Sequence, residues 1–136
     1  MSSRPRFVPT SEWRDPRQRR GLWGEQVAKA YLLSRGWTIE AHRFRLGHQE
    51  LDLVARRGGL VAFVEVKTRS SPAWGAPAES VRWRKRQTIT RVAEVWRQRH
   101  GRVGDVFRFD VIEVRVGEGG AGSGYRVEHL EDAWRG

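Results

Sequence analysis

A chain of 136 residues that is 38% apolar and 31% charged can bury one modest core. Without cysteine it has neither a disulfide framework nor a cysteine zinc site, and no apolar run reaches the roughly 18–20 residues of a membrane span. The formal net charge is +10, which excludes an acidic chain and points toward polyanions.

Residues 1–20 mix Arg, Pro, Ser and single aromatics without a period, which predicts a flexible basic arm, docked by Trp13 if at all. Six arginines against Glu12 and Asp15 leave +4 there; 20 bases against 14 acids leave +6 on residues 21–136. The folded part is therefore basic by itself. No apolar stretch of signal-peptide length is present, so a cytoplasmic protein without membrane contact is expected.

A helix is predicted over "LWGEQVAKAYLLSRG", with Trp23, Val27, Ala30, Tyr31 and nearby Ala28 and Leu32 at helical spacing and Gly36 as its stop. Glu25 borders that face. "WTIEAHRFR" (37–45) alternates as a strand. "ELDLVARRGGLVAFVEVK" (50–67) reads as two strands around Gly58-Gly59, a hairpin turn in which both central residues take positive φ. Residues 68–79 are a proline-containing loop. "SVRWRKRQTITRVAEVWRQRHG" is a second helix with Ile89, Val92, Ala93 and Trp96 as its apolar stripe. Residues 106–116 form a long strand, 117–124 a glycine-rich turn, and "YRVEHLEDAW" a last strand with a short end. One α/β domain over 21–136 follows, a mixed central sheet flanked by helices.

The turn dictates a register in which facing residues have numbers summing to 117. Asp52 then faces Glu65, and Glu50 faces Lys67. One face carries Glu50, Asp52, Val54, Val61, Phe63, Glu65 and Lys67. The other is wholly apolar: Leu51, Leu53, Ala55, Leu60, Ala62, Val64 and Val66. Opposed β-carbons lie about 4.5–5.5 Å apart, and opposed like charges are destabilising. A divalent, oxygen-loving cation such as Mg²⁺ would resolve the Asp52–Glu65 conflict. Lys67 at the edge of this face could orient a water or balance a phosphate; only Lys29, Lys67 and Lys85 among 26 basic residues are lysine. The competing reading is an exposed ion-pair cluster, worth roughly 0–1 kcal/mol per pair.

An acid at Asp52, then Glu65-Val66-Lys67 after a hairpin, preceded by a helix bearing Glu25, resembles the PD-(D/E)xK nuclease superfamily and its restriction-endonuclease-like fold. Within it, "GLWGEQVAKAYLLSRGW", "ELDLVA", "FVEVKTR", the lysine of "VRWRKRQTITRVAEVW" and "RFDVIEV" are similar, in order, to the small bacterial YraN-type, endonuclease-like family, itself similar to archaeal Holliday-junction resolvases. The resemblance implies that Asp52, Glu65 and the Val66 carbonyl hold Mg²⁺ or Mn²⁺. Lys67 would position or activate the attacking water and Glu25 would add a ligand or water anchor. Glu50 matches the acid two before the aspartate. Arg69 and Lys85 would lie near the phosphate. The chain departs from the family pattern at Gln49, where glycine is usual, and at Leu51, where the superfamily has proline. The implied function is hydrolysis of branched or structured DNA, by a homodimer if two strands are cut.

Arg82, Arg84, Lys85 and Arg86 form a basic helix start that reads as a phosphate contact or, failing that, a solvated face. A non-catalytic nucleic-acid-binding protein on a nuclease-like fold and a basic protein adaptor stay open as alternatives. His42, His48, His100 and His129 lack zinc-like spacing and are expected at the surface or in packing. Asp110 is expected as a buried partner of a helix arginine. Trp23, Trp37 and Trp96 are expected in the core. Trp74 and Trp83 are read as core or loop anchors, with stacking on an unpaired base as the second reading.

Overall fold

The computed structural model describes residues 16–69, 82–117 and 124–135. Trp13, Trp74 and most of the expected arm and of the two expected loops (70–81 and 118–123) lie outside these residues. In chain order come α1 (Pro16–Ser34), β1 (Thr38–Leu46), β2 (Gln49–Arg57), β3 (Leu60–Arg69), α2 (Trp83–His100), β4 (Val106–Val116) and β5 (Tyr125–Trp134). The strands form one mixed sheet in the order β1-β2-β3-β4-β5. Only β3 and β4 run parallel, because α2 crosses between them; the other neighbours are antiparallel. α1 begins six residues before the expected Leu22 start, and β3 continues through Thr68 and Arg69, inside the expected 68–79 loop.

The helices cover opposite faces. Ala28 and Leu32 of α1 pack with Leu53, Ala55, Ala62, Val64, Ile112 and Val114. Ile89, Val92, Ala93 and Trp96 of α2 pack with Val54, Val61, Phe63 and Val111, so the predicted stripe is the buried one. On α1 the buried line runs through Gly24, Glu25, Ala28 and Leu32 rather than along Trp23, Val27 and Ala30. Trp23 is 36% exposed and meets Tyr125 edge-on, a correction to its expected core place; Trp37 and Trp96 are buried.

Gly24 sets how closely α1 approaches β3. A β-carbon there would lie 1.9 Å from Thr68 Oγ1 and 3.2 Å from Thr68 Cβ. Thr68 is β-branched and has little room to turn away. Gly24→Ala should therefore destabilise by about 1–3 kcal/mol through overpacking. Denaturant titration should show that Thr68→Ala recovers part of the loss in the double variant; strict additivity would mean the two residues do not meet.

The hairpin register holds from Arg57↔Leu60 to Leu53↔Val64. Of the glycine pair only Gly58 has positive φ (63°). A left-handed first position alone is the II′ pattern, so the expectation of two positive φ values is corrected. Away from the turn, Arg56 donates through Nε to Glu40 and through both terminal nitrogens to Asp105. These bonds, with the Arg102 backbone N–H, hold the Asp105 carboxyl down at about 2.

Asp110 is fully buried. It accepts two bonds from Arg108, one from the Asp132 backbone N–H, and pairs with His129 Nε2 at 2.7 Å. Its partners thus come from β4 and β5, not from a helix arginine as expected.

Candidate functional site

The strands on the α2 face change character along their length. β3 runs Val61, Phe63, Glu65, Lys67, Arg69, and its parallel neighbour β4 runs Phe107, Phe109, Val111, Glu113, Arg115, paired in that order. Both begin apolar and end ionic. The charged end therefore lies at the carboxyl ends of the two parallel strands, where open α/β sheets commonly bind ligands.

Asp52 sits where the regular sheet opens. Pairing of β2 with β3 stops at Leu53↔Val64, one step short of the expected Asp52–Glu65 position. Leu51 packs in the α2-side cluster with Val54, while Leu53 packs on the α1 side. Strict alternation thus fails across Asp52, and the expected place of Leu51 is corrected. On the other flank Arg43 adopts φ 56°, a left-handed conformation uncommon for residues other than glycine. In the opening, Asp52 Oδ2 accepts the Val66 backbone N–H at 2.8 Å, replacing a ladder carbonyl.

The two acids nevertheless meet. Burial first, and then the charge of Glu65, push Asp52 well above its ordinary 3.8; a hydrogen bond with Glu65 adds to the rise and the Val66 N–H partly opposes it. Two ionised carboxylates offer only acceptors, so this contact is a hydrogen bond only when one carries a proton. Glu65 is 3% exposed, and its Oε1 has no partner among the described residues. Its Oε2 lies 3.4 Å from Lys85 Nζ on the first turn of α2 and 4.0 Å from Lys67 Nζ. Helix and sheet thus bring two of the three lysines to one buried carboxylate.

Other predicted residues are engaged elsewhere. Glu25 is buried and bonds both His42 Nε2 and Arg43 Nε at 2.8 Å. It adds repulsion at Asp52 and holds the strained Arg43 in place. Glu50 pairs with Arg45 at 3.1 Å instead of facing Lys67. Arg69 pairs with buried Glu113, which Arg115 also contacts. Arg82 and Arg84 are exposed, and Arg86 lies over the Trp134 ring. Trp83 is 67% exposed, so it is no core anchor. His48 is exposed in the β1–β2 turn.

Sequence reading missed Glu113, His42 and Arg43. Glu113 had a signal: in "FDVIEV" it takes the next alternate position after the apolar Phe109 and Val111. His42 and Arg43 had none, since their role depends on where α1 docks. Among the described residues no group of three or more His, Asp or Glu is gathered so as to hold a metal ion. The donor set at Asp52 and Glu65 still suits a hard cation: two adjoining carboxylates, one with an oxygen lacking a partner among the described residues.

Fold and site define an α/β protein whose five-stranded mixed sheet gathers an acid pair and two lysines beside its parallel strands. The chain belongs to the family described as Uncharacterised protein family UPF0102, whose model matches residues 24–114. It is similar to the UPF0102 protein of Alkaliphilus metalliredigens, 41% identical over 98 residues, covering 72% of this chain and 86% of that one. It is also similar to the UPF0102 protein of Halorhodospira halophila, 39% identical over 129 residues, covering 95% and 97% respectively. No described helix is long and apolar enough to cross a membrane.

Proposed function

We propose that the chain is a metal-dependent endonuclease of the PD-(D/E)xK superfamily, with a restriction-endonuclease-like fold, that hydrolyses phosphodiester bonds in branched or structured DNA. The observation that carries this reading is the buried Asp52–Glu65 contact with Glu65 Oε1 lacking a partner among the described residues. A stable fold gains nothing from two carboxylates pressed together, whereas a cation-binding site needs them.

Asp52, Glu65 and the Val66 carbonyl would hold Mg²⁺ or Mn²⁺. When bound, such an ion lowers the pKa of a coordinated water and takes up charge on the phosphodiester. The chain's own groups do the rest. Lys85 and Lys67 place ammonium charge at the rim of the acid pair, where a scissile phosphate would meet it. Lys67, the more sheltered of the two, is placed to orient the attacking water. Glu25 fixes Arg43 beside Asp52. Arg82 and Arg84 extend the cationic surface along the start of α2. Cutting both strands of a junction would take two copies.

The test is a cleavage panel of single-stranded, duplex, flap and four-way-junction DNA with Mg²⁺, Mn²⁺ or EDTA, using wild type and Glu65→Ala. Cutting should require the metal and vanish in the variant. Cleavage that survives Glu65→Ala would overturn the site. Salt-sensitive binding with no metal-dependent cleavage would favour the non-catalytic nucleic-acid-binding reading.

A further inference from the structure

α2 lies chiefly over β2 and β1. Toward β5 the same face carries an open groove of about 440 Å³, lined by Trp83, Arg86, Gln87, Thr90, Arg91 and the Trp134–Arg135 end of β5. The volume is in the range that holds a small ligand or one part of a larger one. Three guanidinium groups line it and, among the described residues, no acid does. Arg135 gives one terminal nitrogen to Asp132 at the surface, which leaves other donors of its five N–H groups. Trp83 is 67% exposed. Trp134 is 8% exposed, stacks on Phe109 at 5.0 Å, and carries an indole N–H without a partner among the described residues.

Trp83, Gln87, Thr90 and Arg91 share one stripe of α2, by the i, i+4, i+7, i+8 rule. Lys85, two residues after Trp83, leaves α2 on the opposite side and reaches Glu65 there. The groove and the acid pair therefore lie on opposite sides of the first turns of α2.

We propose that this groove binds an unpaired stretch of nucleic acid, with a base stacked on Trp83 and phosphates met by Arg86, Arg91 and Arg135. The argument is charge and shape together. Three arginines in one groove, with no acid in its described lining, favour a polyanion, as does a chain of net charge +10. The exposed indole of Trp83 beside them offers a face on which an unpaired base can stack. Duplex bases are stacked on one another and would reach the arginines but not Trp83. The inference rests on the nucleic-acid part of the reading above and not on catalysis.

Fluorescence anisotropy with labelled dT12 and a 12-base-pair duplex, both in EDTA, tests it without cleavage. Wild type should bind dT12 more tightly than the duplex and lose tryptophan emission on binding. Trp83→Ala should weaken dT12 about tenfold and leave duplex affinity unchanged; Trp83→Phe should restore most of it. Arg91→Gln should reduce the log–log salt slope for dT12 by about 0.7. Equal dT12 affinity for wild type and Trp83→Ala would overturn the proposal. So would an equal loss for both nucleic acids, or a concentration-dependent dimer that Trp83→Ala dissolves while dT12 binding persists. The expected binding pattern without Mg²⁺-dependent cleavage would sink the nuclease reading alone. Cleavage that persists in Trp83→Ala with unchanged strand affinity would sink this one alone.

Discussion

Replacing Asp52 with asparagine should make the protein more stable at pH 8 while removing the DNA cleavage proposed for it. Burial and the Glu65 charge raise the Asp52 pKa above its unfolded value. Between those two values the folded chain holds a proton that the unfolded chain has released, so folding loses stability as pH rises through that window. Asparagine keeps an oxygen for the Val66 N–H and gains an amide that can donate to Glu65. The expected gain at pH 8 is about 1 kcal/mol, or roughly 4 °C in Tm. It should disappear below about pH 4, where the native carboxyl is protonated in both states. In contrast, metal-dependent cleavage should fall on the order of 10³-fold. Millimolar Mg²⁺ should raise the Tm of wild type and not of the variant, because an ion that binds only the folded state stabilises it by mass action. An Asp52→Asn protein that melts lower than wild type at pH 8 would mean that the acid pair is structural.

Asp110→Ala should have the opposite character, a large loss of stability. Burial alone would push Asp110 up; His129, Arg108 and the Asp132 N–H outweigh it and hold the carboxyl below its ordinary value. Removing it strips partners from Arg108, which is 17% exposed, and from His129, which is 6% exposed. Breaking a buried pair in this way costs about 3–5 kcal/mol. The urea midpoint should fall by roughly 2 M at unchanged m. A lowered carboxylate pKa gives stability that is complete above about pH 4 and is lost as pH falls further. Asp105, held at about 2, works in the same direction. Acid unfolding of wild type should therefore begin below pH 4, and Asp110→Ala should lose most of the Asp110 share of that pH dependence. A midpoint shift under 0.5 M would show that the cluster is not a structural centre.

These two aspartates separate what is local from what is not. Element order, the α2 stripe and the hairpin register up to Leu53↔Val64 were legible in the chain, because each follows from a period of 3.6 or 2 and a nearby glycine. The acid pair was legible for the same reason: Asp52 and Glu65 lie close to the turn that aligns them. The opening at Asp52 was not, since a one-residue break in alternation leaves no trace in composition. Leu51 read as a partner of Leu53 and packs instead with Val54.

What only the tertiary structure decided is which distant groups share the site. Lys85 reaches Glu65 because α2 crosses over the sheet. Lys67 stands beside Glu113 because β3 and β4 run parallel across a long connection. Glu25 meets His42 and Arg43 because Gly24 lets α1 settle against Thr68. Each depends on docking between elements far apart in sequence, where no local period operates. The chain by itself determined the elements and the conflict between two carboxylates; the packing of helices on the sheet decided which cations surround that conflict and left a groove open on the other side of α2.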